Sequence, residues 1–224
     1  MATRTFGRTT LTTPDLDEPG LYLSNVGTLD SPRGALRDFA YGDARLRAPE
    51  LADTQLITGR IHGVTSRRTG FDRLGLHGVE ITTSDLGAVR WAGSKLTRVT
   101  FRNCKLLGAA FEGLALDDVL FEGCELDLAT FGKVRATGPV VFAGCSLTEA
   151  EFSDCDPSDV TFSGCALRHT VFGPGRYRHT DLRGNTLTEV RGVANLAKVR
   201  IDHGQQADLA EALVAELDVA FGDD

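Results

Sequence analysis

The chain has 224 residues, 42% of them hydrophobic and 25% charged, and its formal net charge is −7 at pH 7. This composition excludes a disordered chain and predicts one sizeable core. The acidic balance argues against direct nucleic-acid binding through a basic surface. No apolar run approaches the roughly 18 residues of a membrane helix, so no membrane partner is expected.

Residues 1–43 form the first segment. They contain several turn-favouring stretches around one short apolar piece at residues 21–23. They lack the apolar stretch of a secretory signal, and a separate domain is not expected in a segment this short. We predict an N-terminal cap or a flanking strand here.

A five-residue pattern follows, and the stretch FEGCELDLATF at residues 121–131 shows it. Phe121, Leu126 and Phe131 are five residues apart, and the small residues Cys124 and Ala129 stand two positions before the second and third. A helix would place such residues about 140° apart around its axis. A flat strand would turn them to opposite faces. Positions i−2 and i share one face of an extended segment, so each unit is predicted to be a short strand followed by a corner.

The pattern runs from Leu46 to Ile201, with one residue inserted within 136–141 and a second shift after Leu187. All cysteines occupy the small position of this pattern; they are Cys104, Cys124, Cys145, Cys155 and Cys165. An inward position favours core packing over zinc binding, and parallel side chains on stacked coils do not give the torsion of a disulfide. An odd number of cysteines predicts reduced thiols and a cytoplasmic protein.

Phenylalanine and leucine alternate at the large positions between residues 101 and 131. If each coil has four sides, this alternation stacks phenylalanines on two opposite sides and leucines between them, whereas three sides would scramble the ladders. The predicted phenylalanine ladders are Phe101, Phe121, Phe142 and Phe162 on one side and Phe111, Phe131, Phe152 and Phe172 on the other. The fold class predicted is an all-β solenoid, a rod of about eight coils and roughly 40 Å at the strand spacing of about 4.8 Å.

The units CKLLG, AAFEG, CELDL, AEFSD, CALRH and TDLRG resemble those of pentapeptide repeat proteins. The resemblance covers residues 44–201. It implies a right-handed quadrilateral β-helix, in which four units make one square coil.

Residues 202–224 form the last segment, and QQADLAEALVAELDVAF predicts a helix from Gln205 to Leu217. Leu209, Leu213 and Leu217 recur on one face of this helix, beside Val214. Two readings stay open: a cap over the last coil, or a homodimer interface, which the resemblance favours. An apolar face of this size suits both roles.

The middle of the repeat region is acidic, whereas the flanking repeats are basic. We call the acidic positions between residues 112 and 159 the acidic belt; they are Glu112, Asp117, Asp118, Glu122, Glu125, Asp127, Glu149, Glu151, Asp154, Asp156 and Asp159. One reading is a solvated repeat surface that keeps the rod soluble. The other is a surface that binds a basic partner.

The resemblance implies the second reading, because some pentapeptide repeat proteins mimic DNA. Such a protein binds DNA gyrase or topoisomerase IV and modulates it or protects it from topoisomerase-poisoning antibiotics. The alternative is a non-catalytic structural or protein-interaction scaffold with another partner. No catalytic residue, metal site or cofactor is expected, since a filled rod offers no cleft for chemistry.

Overall fold

The structure, a computed structural model, describes residues 2–31, 34–43, 45–46, 50–66, 69–219 and 222. Within these residues the chain forms short strands, one 3-10 turn at Val193–Asn195 and one helix, α1, at Gln205–Glu216. In chain order the strands are β1 (Ala2–Phe6), β2 (Thr9–Thr13), β3 (Ser24–Asn25), β4 (Ala35–Gly42), β5 (Arg45–Leu46), β6 (Glu50–Ala52), β7 (Gln55–His62), β8 (Thr65–Ser66), β9 (Gly70–Asp72), β10 (Gly75–Thr82), β11 (Arg90–Ala92), β12 (Lys95–Arg102), β13 (Ala110–Glu112), β14 (Ala115–Glu122), β15 (Thr130–Gly132), β16 (Arg135–Ala136), β17 (Val140–Ala143), β18 (Glu151–Ser153), β19 (Thr161–Ser163) and β20 (Val171–Phe172).

From β3 onwards the strands wind into a square coil, and each of them pairs in parallel with a strand of the neighbouring coil. Phe101 pairs with Ile81 in the coil below and with Phe121 in the coil above. The longest sheet runs β3, β4, β7, β10, β12, β14, β17, β19, with β16 beside β14, and the opposite sheet runs β6, β9, β11, β13, β15, β18, β20. The predicted fold class, a quadrilateral β-helix, is confirmed.

The long strands continue through a corner of the square. Arg98 and Asp118 occupy equivalent corners of β12 and β14, with φ angles of 52° and 53°. These left-handed conformations turn the chain by one side while the strand pairing continues on both sides of the corner. We name the sides after their inward residues: the Phe121 side, the Leu126 side, the Phe131 side and the Leu116 side.

The interior is filled by the two predicted phenylalanine ladders. Phe121 stacks on Phe101 and Phe142 with ring centroids 4.7 and 4.8 Å apart, and the ring planes are within 5° of parallel. Rings of the opposite ladder meet these edge-on, as Phe131 meets Phe142 at 5.9 Å and 90°. Because stacked rings repeat at the spacing of the strands, each coil adds one close-packed layer to the core.

The insertion within 136–141 lies where the sequence predicts it. Phe121 pairs with Phe142, which is one residue further along the chain than the spacing of the earlier coils. The extra residue is absorbed in a turn after β16, where the N–H of Thr137 donates to the carbonyl of Leu116 at 2.7 Å. The inward register is therefore preserved on both sides of the insertion.

The ladder begins inside the segment 1–43, which the sequence predicts as a cap. β4 pairs with β7 along its whole length, from Ala35 with Gln55 to Gly42 with His62. The five-residue pattern does not reveal this coil, because Phe39 places a large ring where the repeat has a small residue. Gly59 compensates one coil later: a Cβ there would lie 2.2 Å from the Phe39 ring.

The strand ladder makes about six turns between β4 and β19, against about eight coils predicted. Beyond β19 the coil continues through isolated bridges, from Thr161 to Asp181 and from Asp181 to Arg200. No helix within the described ranges has the length and apolar character needed to span a bilayer.

Candidate partner surface

The acidic belt encircles the rod, because the outward positions of one coil point in four directions. Asp117 and Asp118 lie on the Leu116 side and its corner, Glu122 lies on the Phe121 side, and Asp127 lies on the Leu126 side. The predicted residues therefore do not form one continuous face. Burial and partners divide them into groups with different roles.

Glu122 is held by two arginines. Arg4 donates to it twice, at 2.7 and 2.5 Å, and Arg102 donates once, at 2.9 Å. The hydrogen bonds from Arg4, followed by those from Arg102, lower the pKa of Glu122 to about 2 from its usual 4.5. Both of its oxygens are thus engaged within the chain.

Three other half-buried carboxylates also have internal partners. Asp118 accepts a hydrogen bond from the N–H of Thr12 at 2.9 Å. Asp127 accepts from the N–H of Thr148 at 2.8 Å and from a serine hydroxyl, and Asp156 accepts from Ser158 at 2.6 Å. Asp127 and Asp156 therefore satisfy polar groups of the outer turns, a structural task that sequence reasoning did not separate from partner binding.

The exposed members of the belt are Glu112, Glu125, Glu149, Glu151, Asp154 and Asp159. Glu112 is paired with Lys133 at 3.1 Å. Glu125 lies on the Leu126 side, Glu149 at the next corner, and Glu151 just beyond it on the Phe131 side. Within the described residues these three carboxylates form no salt bridge. This corner is one uncovered part of the belt, and Leu128, 53% exposed, lies within it. Asp154 and Asp159 are exposed at other corners of the rod.

The Phe121 side is covered by an N-terminal hairpin that the sequence did not reveal. β1 and β2 pair antiparallel with each other, from Ala2 with Thr13 to Phe6 with Thr9. Leu11, which is 1% exposed, packs on Leu120 and Val141. These two residues stand at outward positions, where the repeat is mostly polar, and they are the sequence signal for a covered face.

The N-terminal segment runs along the rod and crosses several coils. The hydroxyls of Thr9 and Thr161 are 2.7 Å apart near its start, and Asp17 pairs with Arg60 at 3.2 Å near its end. Between these points, acidic and basic residues alternate along the Phe121 side and are joined by salt bridges of 2.5 to 3.2 Å. These residues are, in order, Asp17, Arg60, Glu80, Arg102, Glu122 and Arg4.

The C-terminal helix docks on the last coil mainly through polar side chains. Gln205 is buried and donates to the carbonyls of Leu182 and Asn185 at 2.8 and 2.6 Å. Asp208 accepts from the N–H of Leu187 at 3.0 Å, and about two helical turns later Glu216 accepts from the N–H of Val193 at 2.9 Å. These contacts satisfy backbone groups of the last coil, so α1 acts as a cap.

Of the residues predicted for a cap or dimer face, only Leu209 packs on the main core. Leu213 and Val214 are half-buried, and Leu217 is 64% exposed. The docked face is rotated from the leucine stripe, because it combines the hydrogen bonds of Gln205 with the packing of Leu209 and the buried Ala212 on the core. An apolar edge at Leu213 and Leu217 is left outside the contact.

The cysteines are buried and lie against the backbone, as predicted. The Cys155 thiol donates to the carbonyl of Phe131 at 3.0 Å, and burial raises its pKa above the usual range. A thiol of that kind is a poor nucleophile. Among the described residues, no group of three or more His, Cys, Asp or Glu side chains is placed to hold a metal ion.

The sequence of residues 114–191 matches the family described as the pentapeptide repeat region. This match and the square coil both support the resemblance to pentapeptide repeat proteins that the sequence suggested. None of the curated proteins compared with it matches the sequence.

Among solved structures, the chain is similar to trypsin-treated QnrB1, described as a plasmid-mediated fluoroquinolone resistance protein. The identity is 15%, the TM-score is 0.57, and the match covers 84% of this chain and 92% of that chain. It is also similar to HetL, described as a pentapeptide repeat protein involved in heterocyst differentiation regulation, from the cyanobacterium Nostoc sp. Strain PCC 7120. That identity is 15%, the TM-score is 0.21, and the coverage is 74% of this chain and 86% of that chain. At such identities the first comparison bears on the fold alone.

Proposed function

We propose that this protein binds a type II topoisomerase, DNA gyrase or topoisomerase IV, in place of DNA. It thereby modulates the enzyme or protects it from topoisomerase-poisoning antibiotics. QnrB1, a protein of the same fold, is described as a fluoroquinolone resistance protein, and this description supports the proposal. In this role it has no catalytic activity of its own and acts in the cytoplasm, where free thiols persist.

The observation that carries the proposal is the uncovered corner of the acidic belt. Glu125, Glu149 and Glu151 project from a stiff rod and have no cation of the chain paired with them within the described residues. A surface built to hold phosphates attracts carboxylates fixed in this way, with an affinity that falls as salt rises. The rigid core supports the role because it holds these charges at coil spacing without an ordering cost on binding.

A gyrase supercoiling assay tests the proposal, with the purified protein titrated in at two salt concentrations, with and without a cleavage-stabilising poison. Salt-sensitive inhibition, or relief of poisoning, is the expected result. No effect at concentrations of tens of micromolar would contradict it and would leave the rival role, a non-catalytic scaffold for another partner.

A charge-reversal pair locates the surface. The variant Glu125→Lys/Glu149→Lys/Glu151→Lys is expected to lose the effect on gyrase. Its matched control, Asp30→Lys/Asp38→Lys/Asp43→Lys, makes the same charge change at exposed positions outside the belt and is expected to retain it. Equal loss in both variants would show that net charge, not this corner, matters.

Two further assignments belong to the proposal. We propose that the protein is a homodimer through Leu213, Val214 and Leu217, the part of the predicted face that the cap leaves free or half-buried. We also keep the division into a flanking segment (1–43), a repeat rod (44–201) and a C-terminal helix and tail (202–224), with the first coil of the ladder contributed by the flanking segment.

A further inference from the structure

The N-terminal hairpin covers two members of the acidic belt, Asp118 and Glu122. We infer that this hairpin (β1 and β2) is an internal competitor for the belt: it shields these two carboxylates when docked and exposes them to a basic partner when released. This inference rests on the proposed function, because the partner is the one proposed there.

The hairpin holds the belt with the groups that a DNA-binding surface uses for phosphates. Arg4 places its guanidinium against both oxygens of Glu122, and the backbone N–H of Thr12 donates to Asp118. Arginine side chains and backbone N–H groups supply many of the phosphate contacts in protein–DNA complexes. The contacts of the docked hairpin and those of a basic partner would therefore exclude each other.

The hairpin is able to detach as a unit. Its two strands form a sheet of their own, and in the described residues no strand of the rod is paired with them. Its one fully buried apolar side chain is Leu11, while Arg4 is 33% exposed and Glu122 27% exposed. Releasing it breaks the hydrogen bonds to Glu122 and Asp118 and uncovers Leu120 and Val141, but it leaves every strand pair of the solenoid intact.

Release also changes the local charge. Residues 2–13 contain two arginines, Arg4 and Arg8, and no acid. A docked hairpin thus neutralises part of the belt, and an open one increases the negative charge of the Phe121 side. Because the docked contact includes the partly exposed ion pair of Arg4 with Glu122, salt is expected to favour opening.

The test compares two variants of the full chain that carry the same charge change in the same hairpin. Arg4→Glu removes the contact with Glu122 and places a like charge there. Arg8→Glu is the matched control, since Arg8 is exposed in the hairpin turn and forms no salt bridge within the described residues. Two readouts are measured: amide hydrogen exchange of residues 2–13, and affinity for a labelled octa-arginine peptide.

We expect faster exchange in the hairpin of Arg4→Glu, unchanged exchange in β12, and tighter peptide binding than in Arg8→Glu. Equal exchange and equal affinity in the two variants would overturn the inference. Faster exchange without tighter binding would also overturn it, because the hairpin would then be a structural cover only. In the unmodified protein, the rate of amide hydrogen exchange in the hairpin should rise with salt. A rate that does not rise would contradict the inference that an ion pair holds the hairpin in place.

Gyrase is assayed with the same variants as a separate arm. If gyrase ignores every variant while the octa-arginine peptide prefers Arg4→Glu, the competitor is supported and the proposed partner is wrong. If gyrase responds to the unmodified protein but treats Arg4→Glu and Arg8→Glu alike, the proposed function stands and the competitor is rejected.

Discussion

Arg4 and Glu122 are 118 residues apart in the chain, yet they face each other across two hydrogen bonds of 2.7 and 2.5 Å. The pair joins the first strand to the middle of the rod. The contact between the hairpin and the rod therefore depends on pH, because Glu122 must be ionised to accept both bonds.

We predict that acid releases the N-terminal hairpin. The pKa of Glu122 is lowered from 4.5 to about 2, chiefly by Arg4, so its ionised form stabilises the docked hairpin above the usual pKa. That contribution is lost progressively as the pH falls from about 4.5 towards about 2. Hydrogen exchange of β1 and β2, or the NMR signal of the Glu122 carboxyl, measures this transition. In Glu122→Gln the transition is expected to disappear, and its persistence would assign it to another group.

We predict that Phe121→Ala lowers the free energy of unfolding by about 3–5 kcal/mol, because the ring fills a ladder between two stacked neighbours. Denaturant unfolding followed by circular dichroism measures the change. Phe6→Ala is the control, since Phe6 is half-buried in the hairpin, and a small effect is expected there. Comparable losses in the two variants would contradict the inward assignment.

We predict that Gly59→Ala destabilises the first coils by about 1–3 kcal/mol, because the new Cβ would lie 2.2 Å from the Phe39 ring. Gly27→Ala should be near neutral, since nothing lies within 4 Å of a Cβ there. The double variant Phe39→Ala/Gly59→Ala tests the pairing. If the loss from Gly59→Ala is unchanged when Phe39 is already alanine, the two positions are not coupled.

We predict that Gln205→Ala costs about 1–3 kcal/mol, because the carbonyls of Leu182 and Asn185 lose their buried donor. Thermal unfolding and exchange of the last coil are the measurements. Gln206→Ala changes an exposed neighbour of the same residue type and is expected to have little effect. Equal stability of the two variants would argue against the capping role of α1.

We predict that Leu213→Glu/Leu217→Glu converts the protein to a monomer in sedimentation velocity. The reason is that a dimer through this edge would have to bury two charges per subunit without partners. Leu128→Glu, at an exposed leucine of the rod, is the control and should leave the association state unchanged. A monomer in the unmodified protein would reject the dimer proposal while leaving the cap intact.

The periodic part of the structure could be predicted from the sequence because its rules are local. A large residue every fifth position and a small one two before it place Phe121, Leu126 and Phe131 inward without any knowledge of distant contacts. The twenty-residue recurrence then gives the ladders, and one insertion shifts all later positions together. The first coil was not predicted, because Phe39 occupies a position where the repeat has a small residue. Only the contact of Phe39 with Gly59 explains how the ring is accommodated.

The surface could not be predicted in the same way, because its roles depend on pairs far apart in the chain. The neighbouring residues in the sequence do not distinguish Glu122, which is paired with Arg4, from Glu125, which is exposed. The outward leucine and valine at 120 and 141 were the one available clue. The docked face of α1 was missed for a related reason, since Gln205 binds groups that only the end of a solenoid leaves unsatisfied.

The path of the N-terminal segment fixes the size of the rod beneath it. From the coil of Thr161 to that of Arg60 the rod rises five steps, or about 24 Å, and the eight steps along the chain from Thr9 to Asp17 span at most about 26 Å when extended. One additional coil between these points would move at least one end of the segment off its partner. Repeat rods generally tolerate the insertion of whole units, but here the N-terminal segment limits the number of coils between its two contacts. A coil added to or removed from this stretch would break the docking of that segment.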